Sequence, residues 1–471
     1  MGVLGDVDIR VKDGGLGRVA SGDGVLGVVG VGSAAQGSVV LLSSFDDVKT
    51  KVGDGPLRDF LEGVFSQVNV SCYAKVLPGT TAGTVSSASA GNSNEGVGRL
   101  TTSGSPANRY RIKVTILSSG ALNAATFRVK RNGIEGKEVT VPSGGTYLIP
   151  DTGITLTFTP GFPSGRRVSF VKGDSFEFTT TAPAATNGEL LAGVDELTNQ
   201  SAIYRHIAVA GVTAAPFWAA FALKLEALAE HHQWTWGSAG VRNRGDGETL
   251  DAYITALTGT ERGSVTSKRL MVCASWVRLM DIEGYRAERN AHGKLVGRIF
   301  QNGVAISPGW TRLGNLPGAE GLLHGITQVH IKALQDAGYA ACRFYDGRSG
   351  VYVADSGLMT EATSDFDNSV RIEVMNKACR VVRDAQFPYL KQSFDVLSDG
   401  RVPELSQVAA AGEQELDLMV RDKEISSGRI DIPENQDILA AKRISEEIII
   451  VPRGQMDEIR AAIQFENPNR R

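Results

Sequence analysis

Cysteine is scarce in this sequence of 471 residues, which contains only four. They are Cys72, Cys273, Cys342 and Cys379. No two of them have the close spacing of a metal site or of a redox pair. Because each cysteine stands in an apolar stretch, we expect buried, reduced thiols, which fits a protein of a reducing cytoplasm.

Long apolar runs are also missing. No run approaches the roughly 18 residues that cross a membrane, so we expect no membrane partner. The stretch MGVLGDVDIRVKDGG at the start carries Asp6 and no apolar core, and we therefore do not expect it to act as a signal peptide.

Neither sign of charge dominates the sequence. The chain has 49 basic and 52 acidic residues and a net charge of −3, which gives no support for direct binding of nucleic acid. Aromatic residues make up only 7%, whereas the 55 glycines favour turns and β-structure. Since 42% of the residues are hydrophobic, the chain can bury sizeable cores, and its length indicates several domains.

Signatures of catalysis are absent as well. The sequence contains no GxSxG elbow, P-loop, HExxH helix or CxxC pair. Its histidines form no recognisable triad or metal signature; they are His206, His231, His232, His292, His324 and His330. We therefore predict no catalytic residue, no metal ligand and no cofactor, and expect that the chain is not an enzyme.

The first pattern that is present is a lone strand near the N-terminus. Val7, Ile9 and Val11 alternate with charged residues, as in a half-buried strand. Such a strand needs a sheet to join, either in its own chain or in another.

An αβ unit follows. A hydrophobic strand from Val25 runs into Gly30 and Gly32, which superficially resembles a dinucleotide-binding loop. That loop requires a helix directly after it, whereas the residues from Ser38 onward indicate another strand. A helix over 44–68 and a strand over 70–77 complete the predicted unit. The pattern resumes after Thr186, with these predicted elements: a strand over 203–212, a helix over 214–232 capped by Thr213, a helix over 249–257, a strand over 269–277, helices over 294–300 and 327–338, and a strand over 341–345.

Residues 79–184 differ in composition. Five short alternating segments, separated by turn residues, predict strands over 110–117, 125–133, 137–145, 154–161 and 174–183. Asn132-Gly133 predicts a tight hairpin turn, because both residues tolerate positive φ. We interpret this segment as a β-sandwich that serves as a spacer or surface decoration, since no carboxylate cluster has the spacing of a calcium loop.

The stretch from Tyr345 to Phe394 predicts a strand, a loop and one long helix. Ser364 or Asp365 can cap the helix, and Pro388 predicts its end near Phe387. The apolar stripe is Phe366, Val370, Val374, Ala378, Val381 and Ala385. The polar face carries Arg371, Lys377, Arg380, Arg383 and Lys391. It is either a solvated face or a docking face for an acidic partner. A helix over 402–425 and alternating strand patterns over 428–452 follow.

Four blocks of the chain, in this order, resemble the tail sheath proteins of contractile-tailed bacteriophages and related contractile injection systems. The blocks are Val25–Leu77, Gly303–Met359, Ser364–Leu390 and the C-terminal strand region. The long helix departs from the family pattern, because Arg371 stands alone where many sheath proteins have paired arginines near the helix start.

The resemblance implies an α+β, multidomain fold with an αβ sheath core, extended terminal strand arms and an inserted all-β sandwich. The implied domains are an N-terminal arm over 1–20, a discontinuous αβ middle domain over 21–78 and 185–340, an outer β-sandwich over 79–184, and a C-terminal domain over 341–471 that holds the long helix and a terminal strand arm.

The same resemblance implies a structural subunit of a viral contractile tail ejection system. Subunits would stack as hexameric rings in a helical polymer around an inner tube, and contraction would drive the tube through the host envelope for genome ejection. The implied partners are other copies of the chain, the inner tail tube protein, and the baseplate and tail terminator proteins. The implied location is the virion tail, assembled in the bacterial host cytoplasm.

Within that picture, we predict inter-subunit strand pairing by Val7, Ile9, Val11, Ile430, Ile432, Ile448 and Ile450, and docking on the tube by Arg380 and Arg383. Two alternatives stay open from the residues alone. One is an αβ enzyme with Gly30 and Gly32 at a ligand loop and a β-sandwich binding module. The other is a surface adhesin that uses residues 79–184.

Overall fold

The computed structural model describes residues 24–161, 168–245, 247–281, 284, 286–361, 363–433, 436–456 and 459–463. The chain forms two compact units. The first unit comprises Met1–Asn302 with Ile306–Ile372, and the second comprises Gly303–Ala305 with Glu373–Arg471.

Helices and strands both contribute substantially, in agreement with the expected mixed class. The strands are β1 (Val25–Val31), β2 (Val39–Leu42), β3 (Cys72–Leu77), β4 (Ser89–Ala90), β5 (Arg99–Gly104), β6 (Arg111–Ser118), β7 (Thr126–Arg131), β8 (Ile134–Thr140), β9 (Thr146–Ile149), β10 (Ile154–Thr159), β11 (Ser175–Thr179), β12 (Tyr204–Val212), β13 (Trp236–Gly240), β14 (Leu270–Cys273), β15 (Trp276–Met280), β16 (Arg286–Asn290), β17 (Ala319–Leu322), β18 (Ala341–Arg343), β19 (Tyr352–Asp355), β20 (Ile425–Asp431) and β21 (Glu447–Pro452). The helices are α1 (Phe45–Lys51), α2 (Pro56–Phe65), α3 (Asn187–Thr198), α4 (Ala215–Glu230), α5 (Leu250–Thr258), α6 (His292–Gln301), α7 (Gln328–Asp336), α8 (Ser369–Gln386), α9 (Leu405–Arg421) and α10 (Ile438–Ala441), with 3-10 turns at Thr311–Leu313 and Phe387–Tyr389.

A six-stranded sheet in the order β14-β13-β12-β1-β3-β2 forms the centre of the first unit. Strand β1 lies in the middle and pairs in parallel with both β12 and β3, and only β2 runs antiparallel, at one edge. A parallel strand covered on both faces needs a continuous apolar sequence, and β1 reads VLGVVGV.

Helices cover both faces of this sheet. A Cβ added to Gly30 would lie 3.2 Å from Leu57 of α2, and one added to Gly193 of α3 would lie 2.7 Å from Val29. Because neighbouring residues of a strand point to opposite faces, α2 and α3 lie on opposite sides of β1.

Three local predictions for this region are wrong. The single helix expected over 44–68 is two helices, because Gly53 and Gly55 have φ of 74° and 137° and Pro56 begins a new first turn. Thr213 does not cap α4: its hydroxyl donates to the Gly240 carbonyl and accepts from the Trp218 indole. The strand expected over 269–277 is two strands, β14 and β15.

Between β3 and α3 the described residues form strands, turns and loops, with no helix among them. A three-stranded sheet, β5-β10-β9, and a five-stranded sheet, β4-β11-β6-β7-β8, share a separate core, in which the Phe158 ring contacts the rings of Phe127 and Phe170. The hairpin turn at Asn132-Gly133 is confirmed, with φ of 47° and 91° between the paired strands β7 and β8.

Two contacts fix this β region to the αβ part of the first unit. The Asp54 carboxylate accepts a hydrogen bond from Asn108 Nδ2 at 3.3 Å and another from the Tyr110 hydroxyl. The amide of Arg286 in β16 donates to the Asn132 carbonyl at 3.0 Å. The β region is therefore held at its base and at its hairpin turn.

Helix α8 begins in the first unit and continues into the second. It starts at Ser369 because the Asn368 side chain accepts from the amides of Val370 and Arg371, at 3.1 and 3.4 Å. The start predicted at Ser364 or Asp365 is therefore wrong. The end predicted at Pro388 is confirmed, since α8 stops at Gln386. In the second unit α9 packs against β20, which pairs with β21 in an antiparallel hairpin.

Candidate assembly interface

The hairpin of β20 and β21 brings together the residues predicted for strand pairing at the far end of the chain. Ile430 lies directly opposite Ile448, and Gly428 lies opposite Ile450. Ile432 follows the last residue of β20 and is half-buried. Three of the four predicted isoleucines therefore lie in one two-stranded sheet, with the fourth directly beside it.

Helix α9 supports the inner strand of this hairpin. Ile430 is only 5% exposed, and a Cβ added to Gly412 of α9 would lie 2.4 Å from its Cδ1 atom. The absence of a side chain at Gly412 thus lets Ile430 pack against the helix backbone. Ile448 on the outer strand is 37% exposed.

The backbone of the hairpin shows which edge is free to accept another strand. The Ile430 amide donates to Glu413 Oε1 at 3.0 Å instead of to β21. In an antiparallel ladder, facing residues either bond each other or direct their amides and carbonyls apart. Ile430 and Ile448 are therefore a non-bonded pair, and the Ile448 backbone groups point to the outer edge of β21.

Ile450 presents its backbone groups on the same outer edge, because it is two residues farther along the strand. The β20 edge, by contrast, is partly occupied by the Glu413 carboxylate. A two-stranded sheet is marginally stable by itself, so a third strand added to β21 would stabilise it. Val7, Ile9 and Val11 lie outside the described residues.

The two arginines predicted to dock on the tube have different surroundings in α8. Arg380 is buried, with 8% of its surface exposed. The Arg383 side chain is 44% exposed; its guanidinium lies 3.7 Å from Asp384 and 5.4 Å from the ring centre of Phe387. Elsewhere on the same helix, Lys377 forms a half-buried ion pair with Glu424 at 2.7 Å. Of the two predicted arginines, Arg383 is the one that a partner can reach.

The first unit contains a buried chain of polar side chains that the sequence patterns do not predict. His206 Nε2 and His292 Nε2 each lie 2.6 Å from Ser238 Oγ, between β12, β13 and α6. Burial lowers the pKa of both histidines, that of His292 to about 3. All three residues are buried, so this histidine–serine arrangement is closed to a substrate. Their separations of 32 and 54 positions leave no local signal in the sequence.

The glycine loop that the enzyme alternative requires is filled by protein. A Cβ on Gly30 would lie 2.9 Å from Ala210, and one on Gly32 would lie 2.7 Å from the Val52 carbonyl. The chain then enters β2 and not a helix N-terminus, so the geometry for binding a pyrophosphate is missing.

The described residues contain no group of three or more histidine, cysteine, aspartate or glutamate side chains placed to hold a metal ion. They also contain no helix with both the length and the apolar character needed to span a membrane.

Family models match nearly the whole chain. The model described as DUF2586, N-terminal domain, matches residues 4–357, and the model described as DUF2586, C-terminal domain, matches residues 365–470. Among curated proteins no sequence relative is found.

Solved structures with the same fold come from contractile machines. A sheath complex of the extracellular contractile injection system PVC, in its contracted state, is 9% identical, covers 99% of both chains and has a TM-score of 0.56. The contracted helical sheath of the anti-feeding prophage is 12% identical over 99% of both chains, with a TM-score of 0.54. At this identity the likeness establishes a fold shared with sheath proteins.

Proposed function

The chain belongs to the DUF2586 family, and we propose that it is the structural subunit of a contractile sheath. The observation that carries this proposal is a likeness of fold, over 99% of both chains, to the sheaths of two contractile injection systems. We propose that copies stack as hexameric rings around an inner tube, and that contraction drives the tube through a host envelope. The chain then acts by assembly and not by catalysis.

Subunits are linked, in this proposal, by strand addition. The arm over residues 1–20 of one copy, with Val7, Ile9 and Val11, pairs along the outer edge of β21 in another copy. The outward backbone groups of Ile448 and Ile450 support this site. Ile430, which packs against α9, and Ile432, which follows the end of β20, were also predicted to pair between subunits, but neither lies on the β21 edge proposed here. Backbone hydrogen bonds would then join copies whose cores move as rigid bodies during contraction.

The same proposal assigns the domains. The αβ middle domain consists of 21–78 and 185–340, the outer β-sandwich is 79–184, and the C-terminal domain is 341–471. The separate aromatic core of the β region supports the outer domain, and the six-stranded sheet, which is built from both flanking segments, supports the middle domain. Residues 341–372 cluster with the first unit, so the compact second unit begins later than the proposed C-terminal domain.

Docking on the inner tube is assigned to α8. Arg383 is the contact residue that its exposure supports, and Arg380 lies buried in the same helix. An exposed charge contact is worth little by itself, which suits an interface that must break during contraction. The further partners in this proposal are the baseplate and tail terminator proteins of a phage tail, assembled in the host cytoplasm.

Electron microscopy of negatively stained protein tests the proposed function. The purified chain is imaged alone and after mixing with the tube protein encoded beside it. Hollow, striated cylinders are the expected result. Dispersed small particles in both samples would overturn the sheath assignment.

A further inference from the structure

The six-stranded sheet of the first unit ends at β2, and among the described residues no strand pairs with the outer edge of β2. The opposite edge, on β14, is covered: the Ala340 amide donates to the Val272 carbonyl at 2.9 Å. The Met359 amide likewise donates to the Leu270 carbonyl at 2.9 Å. Leu41 in β2 is 50% exposed. An open edge beside an exposed leucine is a place where a further strand can add.

Hydrogen bonds show which residues of β2 present their backbone at this edge. The Val76 amide donates to the Ser38 carbonyl at 3.0 Å, so Ser38 and Val76 are a bonded pair. Since bonded and non-bonded residues alternate in an antiparallel ladder, Val39 and Leu41 direct their amides and carbonyls outward. The Lys51 ammonium agrees with this direction, because it donates to the Leu41 carbonyl at 2.9 Å.

The arm over residues 1–20 belongs to the same chain and is connected to the sheet close to this edge. Strand β1 lies two strands from β2, so a strand added outside β2 would lie about 14 Å from β1. Residues 12–23, between the predicted strand of the arm and β1, include four glycines. A glycine-rich linker of that length has a root-mean-square span of about 20 Å. Because the two distances are similar, the arm has a high effective concentration at β2.

The two faces of the sheet match the two sides of the arm. Leu41 lies on the same face as Lys75, which pairs with a glutamate of α3. Helix α1, which carries Lys51, packs with α2 on the other face. Strand alternation places the apolar residues of the arm on one side and Asp6 and Asp8 on the other. The apolar side can therefore cover Leu41 while the carboxylates approach Lys51.

We propose that in the free subunit the arm over residues 1–20 pairs with the outer edge of β2 in its own chain, and that it moves to β21 of another copy during assembly. One arm cannot occupy both edges at once. Pairing at β2 therefore withholds the strand that links copies, and it slows assembly in proportion to the fraction of arms that it holds. The inference rests on the proposed strand addition and names how that site is regulated.

Hydrogen–deuterium exchange of the free subunit, resolved to single amides by mass spectrometry, tests this pairing. The unaltered full-length chain is compared with a full-length variant that combines Ile9→Pro and Arg10→Pro, which removes an amide from each edge of the arm strand. We expect the Val39 and Leu41 amides to exchange about threefold more slowly in the unaltered chain, as when about two-thirds of the arms are held. The outward Ile448 amide of β21 is expected to exchange equally in both chains.

Equal exchange of the β2 amides in the two chains would overturn the inference. Protection by the arm that appears at Ile448 and not at β2 would overturn it as well. A threefold difference corresponds to about 0.7 kcal/mol, which is too small to shift the midpoint of thermal unfolding noticeably. The two chains are therefore expected to unfold at the same temperature, which excludes a general loss of stability as the cause of faster exchange.

Leu41→Pro gives a second measurement, because the Leu41 amide points outward and its loss leaves the hydrogen bonds to β3 in place. We expect the substitution to raise the initial rate of polymerisation, followed by light scattering, about threefold. Leu148→Pro is the matched control: Leu148 is 61% exposed on the edge strand β9, and its amide also points outward. An equal rate in Leu41→Pro and in the control would contradict the pairing.

The outcomes separate this inference from the proposed function. The exchange measurement uses the free subunit, so it decides the pairing at β2 whether or not a polymer forms. If the unaltered chain forms cylinders but neither measurement detects the arm at β2, this inference is wrong and the sheath assignment stands. If the arm protects β2 and the chain forms no cylinder in any mixture, the sheath assignment fails, and with it the proposed move to β21.

Discussion

At the scale of single residues, the buried chain of His206, Ser238 and His292 determines how the first unit responds to acid. Burial holds the pKa of His206 well below 6.5 and that of His292 at about 3, whereas in the unfolded chain both titrate near 6.5. Between these values the unfolded state binds more protons. Stability therefore falls as pH falls, by up to about 1.4 kcal/mol per pH unit for each histidine.

Asp59 opposes this loss of stability at acidic pH, between about pH 6 and pH 3.8. Burial raises its pKa from 3.8 to about 6 against the attraction of Arg289, so the folded state binds the extra proton there and gains stability as pH falls. Two histidines outweigh one carboxyl group, and we expect a lower midpoint of urea unfolding at about pH 5 than at about pH 7.5. His292→Gln should reduce this difference. An identical pH dependence in the variant and the unaltered chain would contradict the assignment.

Tyr110 is a second test at this scale, because its hydroxyl joins the β region to Asp54. Tyr110→Phe leaves the ring and removes that bond. We expect thermal unfolding to show a loss of about 1 to 2 kcal/mol and residues 79–184 to become more susceptible to proteolysis. Tyr147→Phe, in the same β region, is the control. Equal effects of the two substitutions would mean that the contact with Asp54 is unimportant.

At the scale of elements, the free edge of β21 predicts different effects of proline at two adjacent positions, Ile448 and Ile449. The Ile448 amide points away from β20, whereas the adjacent residue Ile449 is in the bonded register with Arg429. Proline cannot donate a ladder hydrogen bond. We therefore expect Ile448→Pro to keep the hairpin but abolish assembly, and Ile449→Pro to destabilise the second unit itself. Circular dichroism and sedimentation distinguish the two, and normal assembly by Ile448→Pro would exclude strand addition at this edge.

Elements were predictable where the sequence pattern is local. The alternation in β6 and β10, the run of β-branched residues in β21 and the turn at Asn132-Gly133 each lie within a few residues of chain. The break between α1 and α2 is marked in the sequence only by Gly53, Gly55 and Pro56, whose short turn the helical pattern of α2 does not predict. The start of α8 was misplaced because Ser364, Asp365 and Asn368 are all competent caps, and the choice among them depends on tertiary packing.

The sequence predicts which side chains lie in the strands of the candidate interface, but not which edge of the hairpin is free to pair. The run of β-branched residues over 448–451 identifies Ile448 and Ile450 as strand residues. Which edge of the hairpin is free depends on the Glu413 carboxylate, 17 positions from Ile430, and on the packing of α9. The contact between Asp54 and Tyr110 could not be predicted either, because the two residues are 56 positions apart and meet only after the β region has folded.

At the scale of the whole molecule, the account predicts that assembly and folding can be separated. Deletion of residues 1–20 removes the donated strand and leaves the six-stranded sheet intact, since β1 begins at Val25. We expect the truncated chain to unfold with an unchanged midpoint while forming neither rings nor cylinders. A truncated chain that assembles fully would show that the arm over 1–20 is not the link between copies.

The most direct measurement is a helical reconstruction, by electron cryomicroscopy, of the polymer formed with the tube protein. The account predicts a strand from a neighbouring copy hydrogen-bonded along the outer edge of β21, beside Ile448 and Ile450, in every subunit of the wall. A polymer in which that edge faces solvent, or in which copies meet through other surfaces alone, would contradict it.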